Sequence, residues 1–415
     1  MTSGTVHIVG AGLAGLSAAV KLAGSGREVV VHELARYAGG RCRSYFEPAL
    51  GLNIDNGNHL LLSANRAALA LLKTIASEDK LVGPERAEFA FADLVSGESW
   101  TLRPNRGPIP WWIFASSRRA PGTRASDYLA LAKLLRRRPD RPIADVVACE
   151  GPAYDRVLHP ILLAALNTDP PQASASLARA VLRETLARGG AACRPLVAVG
   201  GLGAAFIDPA LAYLERKGAK IHFHHQLRGI DLGFEHARAL DFSEDAVTLG
   251  AKDAVILAVP AAVATLLLPG LSTPTEFHAI VNAHFKVASP QGLPRVVGVL
   301  NGIVEWLFAF PERLSVTISC ADRFIEADRD ALAEEIWRDV VVLTGIEGDM
   351  TPFQIVKERR ATFAATPEQN RRRPHARTRW RNLVLAGDWT ATGLPATIEG
   401  AVRSGNEAAR LVLKG

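Results

Sequence analysis

Val6-His7-Ile8-Val9 runs directly into Gly10-Ala11-Gly12-Leu13-Ala14-Gly15, an apolar tetrapeptide followed by three glycines spaced G-x-G-x-x-G. Glycines in this order let a chain turn tightly after a strand, approach a pyrophosphate with its backbone and pack the following helix close. Leu16 to Leu22 continues as a helix and Glu28 to His32 as a second strand. Glu33 then stands eighteen residues past Gly15, where an acid reaches a ribose hydroxyl. A glycine-rich turn beside a surface glutamate is the plainer alternative. Strand, turn, helix, strand and acid in sequence favour a βαβ unit that binds a dinucleotide through Gly10, Gly12, Leu13, Ala14, Gly15 and Glu33.

Two further segments lengthen that ligand. Gly39-Gly40-Arg41 follows the second strand, with glycines for close approach and a guanidinium suited to phosphate oxygens. At the other end, Leu383 to Ala386 reads as a strand leading into Gly387-Asp388 and then Leu394-Pro395-Ala396-Thr397-Ile398, the opening of a helix that runs to Leu413. Amides at such a helix start face electron-rich groups, and Asp388 offers an acceptor; a turn or cap role is its alternative. One elongated cofactor held from both ends of the chain satisfies both segments.

The fold class that follows is α/β: a Rossmann-like cofactor domain interleaved with a mixed α+β substrate domain. The 415 residues suit two domains. Residues 1–60, 190–260 and 375–415 are expected to build the first, and residues 61–189 and 261–374 the second. Helical segments are expected at Arg66 to Ile75, Tyr128 to Arg138 and Ser176 to Ala187, and strands at Lys220 to His224, Ala254 to Val259 and Leu314 to Ser319.

The net charge of +6 is spread along the chain, which suits an anionic partner such as a membrane surface and, with no recognition motif, argues against nucleic acid. Cys42, Cys149, Cys193 and Cys320 are far apart, so a zinc ribbon or disulfide framework is not expected and a reducing cytoplasm fits. No basic leader precedes Val6, and Pro260 interrupts the apolar run Val255 to Leu268, so a soluble or peripheral protein is expected. Pro110-Trp111-Trp112-Ile113-Phe114, followed by Arg118-Arg119, suits either core packing or a membrane-facing patch at the mouth of a lipid tunnel. His222 and His224 would share one strand face with His225 beside them; lacking a third ligand, they are read as structural, and no metal is expected. No Gly-x-Ser-x-Gly or His-Glu-x-x-His supports hydrolysis. Arg136-Arg137-Arg138 and Arg371-Arg372-Arg373 are the strongest local charge runs.

Asp55-Asn56-Gly57-Asn58-His59 reads first as a turn. His59 is equally a structural residue or a proton donor, its ordinary pKa being nearest neutrality, and Asp55 is an anchor or an acid.

The glycine turn, Gly39-Gly40-Arg41 and the Gly387-Asp388 tail together resemble FAD enzymes of the amine oxidase and phytoene desaturase type. Closer still, Asp55 to His59, Ala165-Leu166-Asn167-Thr168-Asp169-Pro170-Pro171-Gln172-Ala173-Ser174 and the tail from Gly387 are similar to the squalene-associated branch, the hydroxysqualene dehydroxylases, although Asn58 stands where glutamine is more usual. That resemblance implies non-covalent FAD bound by the residues named above and by Gly57, Asn58, His59, Leu227, Gly387, Asp388, Pro395, Ala396, Thr397 and Ile398. It implies a hydrophobic C30 isoprenoid substrate, a separate electron donor, and a reductive loss of hydroxyl in bacterial squalene and hopanoid synthesis, with hydride coming from flavin N5 and with His59 or Asp55 assisting. A carotenoid-type desaturase moving hydride the other way, or an escort for prenylated partners, are the alternatives.

Overall fold

In the computed structural model, which describes residues 4–414, Val6–Val9 is buried along its whole length. Val29–His32 and Ala254–Leu257 flank it in parallel, so that Val6 faces Val29 on one side and Ala254 on the other. Lys220–His222 and Leu383–Leu385 complete a five-stranded parallel sheet at its two edges. Parallel neighbours need long crossovers; the helix Leu13–Gly24 makes the first, and whole insertions separate the later strands.

The two faces of this sheet are covered differently. Ile8, Val31 and Ile256 pack against Leu16, Leu214, Val402 and Ala409 from the helices Leu13–Gly24, Asp208–Arg216 and Ile398–Lys414. Val9, Val255 and Leu257 pack against Leu227, Leu240 and Phe242 of an antiparallel meander, Leu227–Leu232, Ala237–Phe242 and Ala246–Thr248. The first and last helices approach closely at Gly405, where a Cβ would strike the Ala14 carbonyl oxygen and Ser17 Oγ.

A second sheet has seven strands, in the order Phe353–Phe363, Phe277–Phe285, Leu314–Ile318, Trp306–Ala309, Val296–Leu300, Phe89–Asp93 and Ser99–Leu102. All pairs are antiparallel except Val296–Leu300 with Phe89–Asp93. One face buries Val281, Phe285, Leu314 and Val316 under Leu332, Ile336, Trp337 and Val340 of the helix Arg329–Thr344. Asp328 accepts the amides of Asp330 and Ala331 at the start of that helix, and Gly345, with φ 67°, ends it. The other face carries Phe91, Trp100, Trp306 and Phe308 against Trp112 and Ile113.

Several expectations need correction. Strands at Phe89–Asp93 and Ser99–Leu102 add to the helices expected after residue 60; their four or five residues give too short a pattern to stand out. The strand after Lys220 stops at His222, because His224 adopts φ 57°, so His222 and His224 do not share a strand face. His222 instead stacks on His32 of the neighbouring strand. The helix around Tyr128 is Ala125–Leu131 followed by a tighter turn at Ala132–Leu135, short of Arg138.

Candidate active site

The first turn has the geometry its glycines require. Gly10 sits at φ 105°, and a Cβ on Gly15 would strike the Gly10 carbonyl oxygen, so helix and strand pack more closely than any larger residue allows. Leu13 and Ala14 open the helix, whose first amides lack intrahelical acceptors. Glu33 accepts from the amides of Ala11 at 2.7 Å and Ala35 at 2.9 Å, which fixes its carboxylate beside the turn. The segment that follows the edge strand Lys220–His222 comes alongside Glu33: the His225 N–H donates to the Glu33 carbonyl, and Leu227 beyond it packs with Val9 and Leu257.

Gly39 and Gly40 take φ 109° and 55°, bringing Gly39 alongside Gly12. Arg41 then projects between three segments. Its Nη1 donates to the Ala361 carbonyl at 2.6 Å and its Nη2 to Asp388 Oδ1 at 2.7 Å, and Asp388 raises the pKa of the guanidinium. Although set among these segments, the Arg41 side chain keeps 45% of its surface open, while that of Asp388 keeps 8%. A Cβ on Gly12 would meet no atom within 4 Å. An open slot therefore leads from the helix start past Gly12 and Gly40 to Arg41, and its donors suit a pyrophosphate.

At the C-terminal end Gly387 donates to Ser404 Oγ at 2.9 Å. Thr397 Oγ1 accepts from Gly400 at 3.0 Å, capping the helix Ile398–Lys414 just behind Pro395 and Ala396. The motif is held by a residue the sequence showed only as part of a charge run: Arg373 is buried, and its Nη2 donates to the carbonyls of Asp388 (3.1 Å) and Thr390 and to Thr392 Oγ1. Burial pulls its pKa down to about 10. Glu399, given no role in the sequence reading, is 3% exposed and accepts the amides of Ala67 and Ala68.

The loop Asn56–His59 lies across the seven-stranded sheet. Asn58 donates through its amide and Nδ2 to Asn282 Oδ1, and through Nδ2 to Thr317 Oγ1 at 3.2 Å. Asn56 Nδ2 donates to Glu358 at 3.1 Å. His59 Nδ1 lies 2.9 Å from the Gly57 carbonyl. A carbonyl only accepts, so Nδ1 carries the hydrogen and Nε2 presents a lone pair. Burial lowers the His59 pKa, outweighing the Gly57 bond and Asp55. With Nδ1 so held, Nε2 is the ring nitrogen that can meet a substrate, and burial disfavours the protonated ring.

Asp55 is 3% exposed, and its Oδ1 accepts from Ser44 Oγ at 2.5 Å and from the Leu202 amide at 2.9 Å. Burial raises its pKa, and the bonds to Ser44 and Leu202 oppose the rise. These contacts join two chain segments, which favours its anchoring role. Arg313 and His284 form the layer behind, with His284 Nδ1 at 2.8 Å from Ser315 Oγ and its pKa forced down to about 3 by burial.

A slot with these donors in this two-sheet frame defines a flavoprotein oxidoreductase. The chain belongs to the flavin containing amine oxidoreductase family, whose profile matches residues 13–413, and it is an FAD-dependent enzyme. Within that family it groups with the hydroxysqualene dehydroxylases. It is 57% identical over 412 residues to the hydroxysqualene dehydroxylase of Rhodopseudomonas palustris, covering 99% of both chains. It is 53% identical to that of Sinorhizobium fredii, covering 98% of both. The fold also matches the solved structure of cyclohexylamine oxidase from Brevibacterium oxydans, with a TM-score of 0.71 at 17% identity over 99% of each chain.

Proposed function

We propose that the protein removes the hydroxyl of hydroxysqualene reductively to give squalene. The observation that carries this reading is the near-full-length similarity at 57% identity to a hydroxysqualene dehydroxylase. When bound, FAD in its reduced form supplies a hydride, which suits an allylic carbon whose hydroxyl is leaving.

The chain's own residues do the rest. The turn Gly10–Gly15, Glu33, Gly39, Gly40 and Arg41 hold the cofactor's phosphates and ribose, with Leu227 beside its nucleotide end. Gly57, Asn58, Gly387, Asp388 and Pro395–Ile398 hold its other end. The departing oxygen takes up a solvent-derived proton as the carbon–oxygen bond breaks and leaves as water, with His59 placed to assist that departure and Asp55 fixing the loop on which His59 stands. Closure of the site against bulk water protects the electron-poor carbon.

No helix among the described residues is long and apolar enough to cross a membrane. Ile109, Trp111 and Phe114 are nevertheless exposed, at 76%, 49% and 68%, with the Arg118 guanidinium 4.7 Å from the Trp111 ring. Trp112 and Ile113 between them are buried, so the segment is anchored in the core and presents three apolar side chains outward. We read it as a peripheral contact with an anionic bilayer from which an apolar C30 substrate is taken.

The test is anaerobic: reduce the FAD-loaded protein, add hydroxysqualene, follow flavin absorbance and identify the product. Reoxidation with one squalene per flavin is expected. A flavin that stays reduced without squalene overturns the reading in favour of polyene desaturation.

A further inference from the structure

His278, Cys320 and Asp322 meet at one end of the seven-stranded sheet. Their ligating atoms, an imidazole nitrogen, a thiol sulfur and a carboxylate oxygen, all lie within 4.8 Å of one another. His278 Nδ1 and Asp322 Oδ2 are 2.8 Å apart. His278 belongs to Phe277–Phe285, whereas Cys320 and Asp322 follow Leu314–Ile318, the strand paired with it. Forty-two residues of separation hide the cluster in sequence.

The three groups are held in place by other residues. Asn167, 2% exposed, accepts the Cys320 N–H through Oδ1 at 2.6 Å and donates through Nδ2 to the His278 carbonyl at 3.3 Å and to Thr362 Oγ1 at 2.9 Å. One carboxamide thus orients the backbones of two members. Asp322 Oδ1 accepts the Ala279 amide at 3.2 Å, leaving Oδ2 toward His278. Cys320 takes φ 46°, a left-handed conformation uncommon outside glycine, and this turns its side chain toward the other two. Such support behind ligating groups is what a metal centre needs to keep its geometry.

We infer that His278, Cys320 and Asp322 form a binding site for a thiophilic divalent cation, of which zinc is the fitting member. Sulfur, nitrogen and oxygen donors together suit zinc, with bonds of about 2.0–2.3 Å and hence ligand separations of about 3–4 Å. Reaching them requires inward shifts of about 1 Å or less. Burial, with Asp322, Asp169 and Glu305 nearby, holds the Cys320 thiol protonated in the metal-free protein. Asp322 and Asp169 favour a cation, and zinc displaces the thiol proton. Arg323, whose Nη1 donates to the Cys320 carbonyl at 3.3 Å, is the opposing charge. Asp322 has 49% of its side chain exposed, which leaves a fourth position to water. The site shares no ligand with the residues named for the flavin slot and does not depend on the reaction proposed above.

The test titrates the FAD-loaded protein with zinc and separately with cobalt. Wild type is expected to bind one zinc per chain, and Cys320→Ser and His278→Ala to weaken it by more than about 10-fold. The cobalt form of wild type should show a thiolate-to-metal charge-transfer band that Cys320→Ser lacks. Retained FAD verifies that each variant is folded. A measurement without ligand variants uses Cys149→Ser, which leaves Cys320 as the partly accessible thiol beside buried Cys42 and Cys193; zinc should slow its alkylation. Equal zinc affinity in wild type and Cys320→Ser, a cobalt spectrum without the thiolate band, or alkylation indifferent to zinc overturns the site.

Discussion

Arg41 and Asp388, from opposite ends of the chain, form a hydrogen-bonded ion pair of 2.7 Å between Nη2 and Oδ1. The same guanidinium reaches the Ala361 carbonyl on the seven-stranded sheet, so one side chain ties the first turn, the C-terminal loop and the second sheet together along the cofactor slot. Arg41→Ala removes the cation proposed to meet the cofactor's phosphates and leaves the nearly buried Asp388 carboxylate without its partner. FAD affinity should fall about 10- to 100-fold, as loss of one charge-assisted hydrogen bond predicts. Titration of the apoprotein with FAD by fluorescence quenching measures it; unchanged affinity would remove Arg41 from the cofactor site.

His59 is expected to act on substrate rather than on cofactor retention. His59→Ala should keep bound flavin while single-turnover reoxidation by substrate slows about 100-fold, the scale of misplaced reacting groups. Because the pKa of His59 is held below its ordinary value, the rate should not fall as pH rises through 6–8, as it would if His59 had to be protonated. A rate that tracks a protonated group in that range would restore the acid role.

Acid should destabilise the fold through its buried histidines. His32 hydrogen-bonds His7 and His225, and burial, with His7, His225 and His222 around it, lowers its pKa to about 3. Above the unfolded value near 6.5, both states are neutral at this position. As pH falls from there toward 3 the unfolded chain takes up a proton that the folded one resists, so His32 removes about 1.4 kcal/mol of stability per pH unit. Tm measured from pH 7 to 4 should drop, and His32→Gln should flatten the drop. Identical profiles would place the acid sensitivity elsewhere.

The exposed Trp111 and Phe114 should govern partition onto bilayers. A Trp111→Ala/Phe114→Ala variant should keep its Tm and FAD but bind anionic vesicles at least about 100-fold more weakly, given about 1.5–3 kcal/mol for each of the two large apolar side chains buried. Vesicle co-sedimentation reports it. Equal binding would assign the patch to another surface.

The cofactor half of the protein was legible because its constraints are local. Gly10 and Gly39 are glycines for their φ, Gly15 for close packing, and Glu33 lies at a distance fixed by one βαβ unit; spacing alone encodes each. Strand periods likewise placed Val6–Val9, Ala254–Leu257 and Leu383–Leu385 to within two residues. What tertiary structure decided were the roles that depend on partners distant in the chain. Arg373 could not be told from its neighbours Arg371 and Arg372 until it was seen buried against the carbonyls of Asp388 and Thr390. His59 carries an ordinary histidine pKa in sequence and a lowered one in place, because burial outweighs its local hydrogen bond. Asn167 stands in the sequence only as part of the passage similar to the hydroxysqualene dehydroxylases, yet its carboxamide joins Cys320 to the His278 strand. Desolvation and hydrogen-bond pairing belong to the assembled interior, where residues hundreds of positions apart become neighbours, so periodicity and spacing carry no record of them.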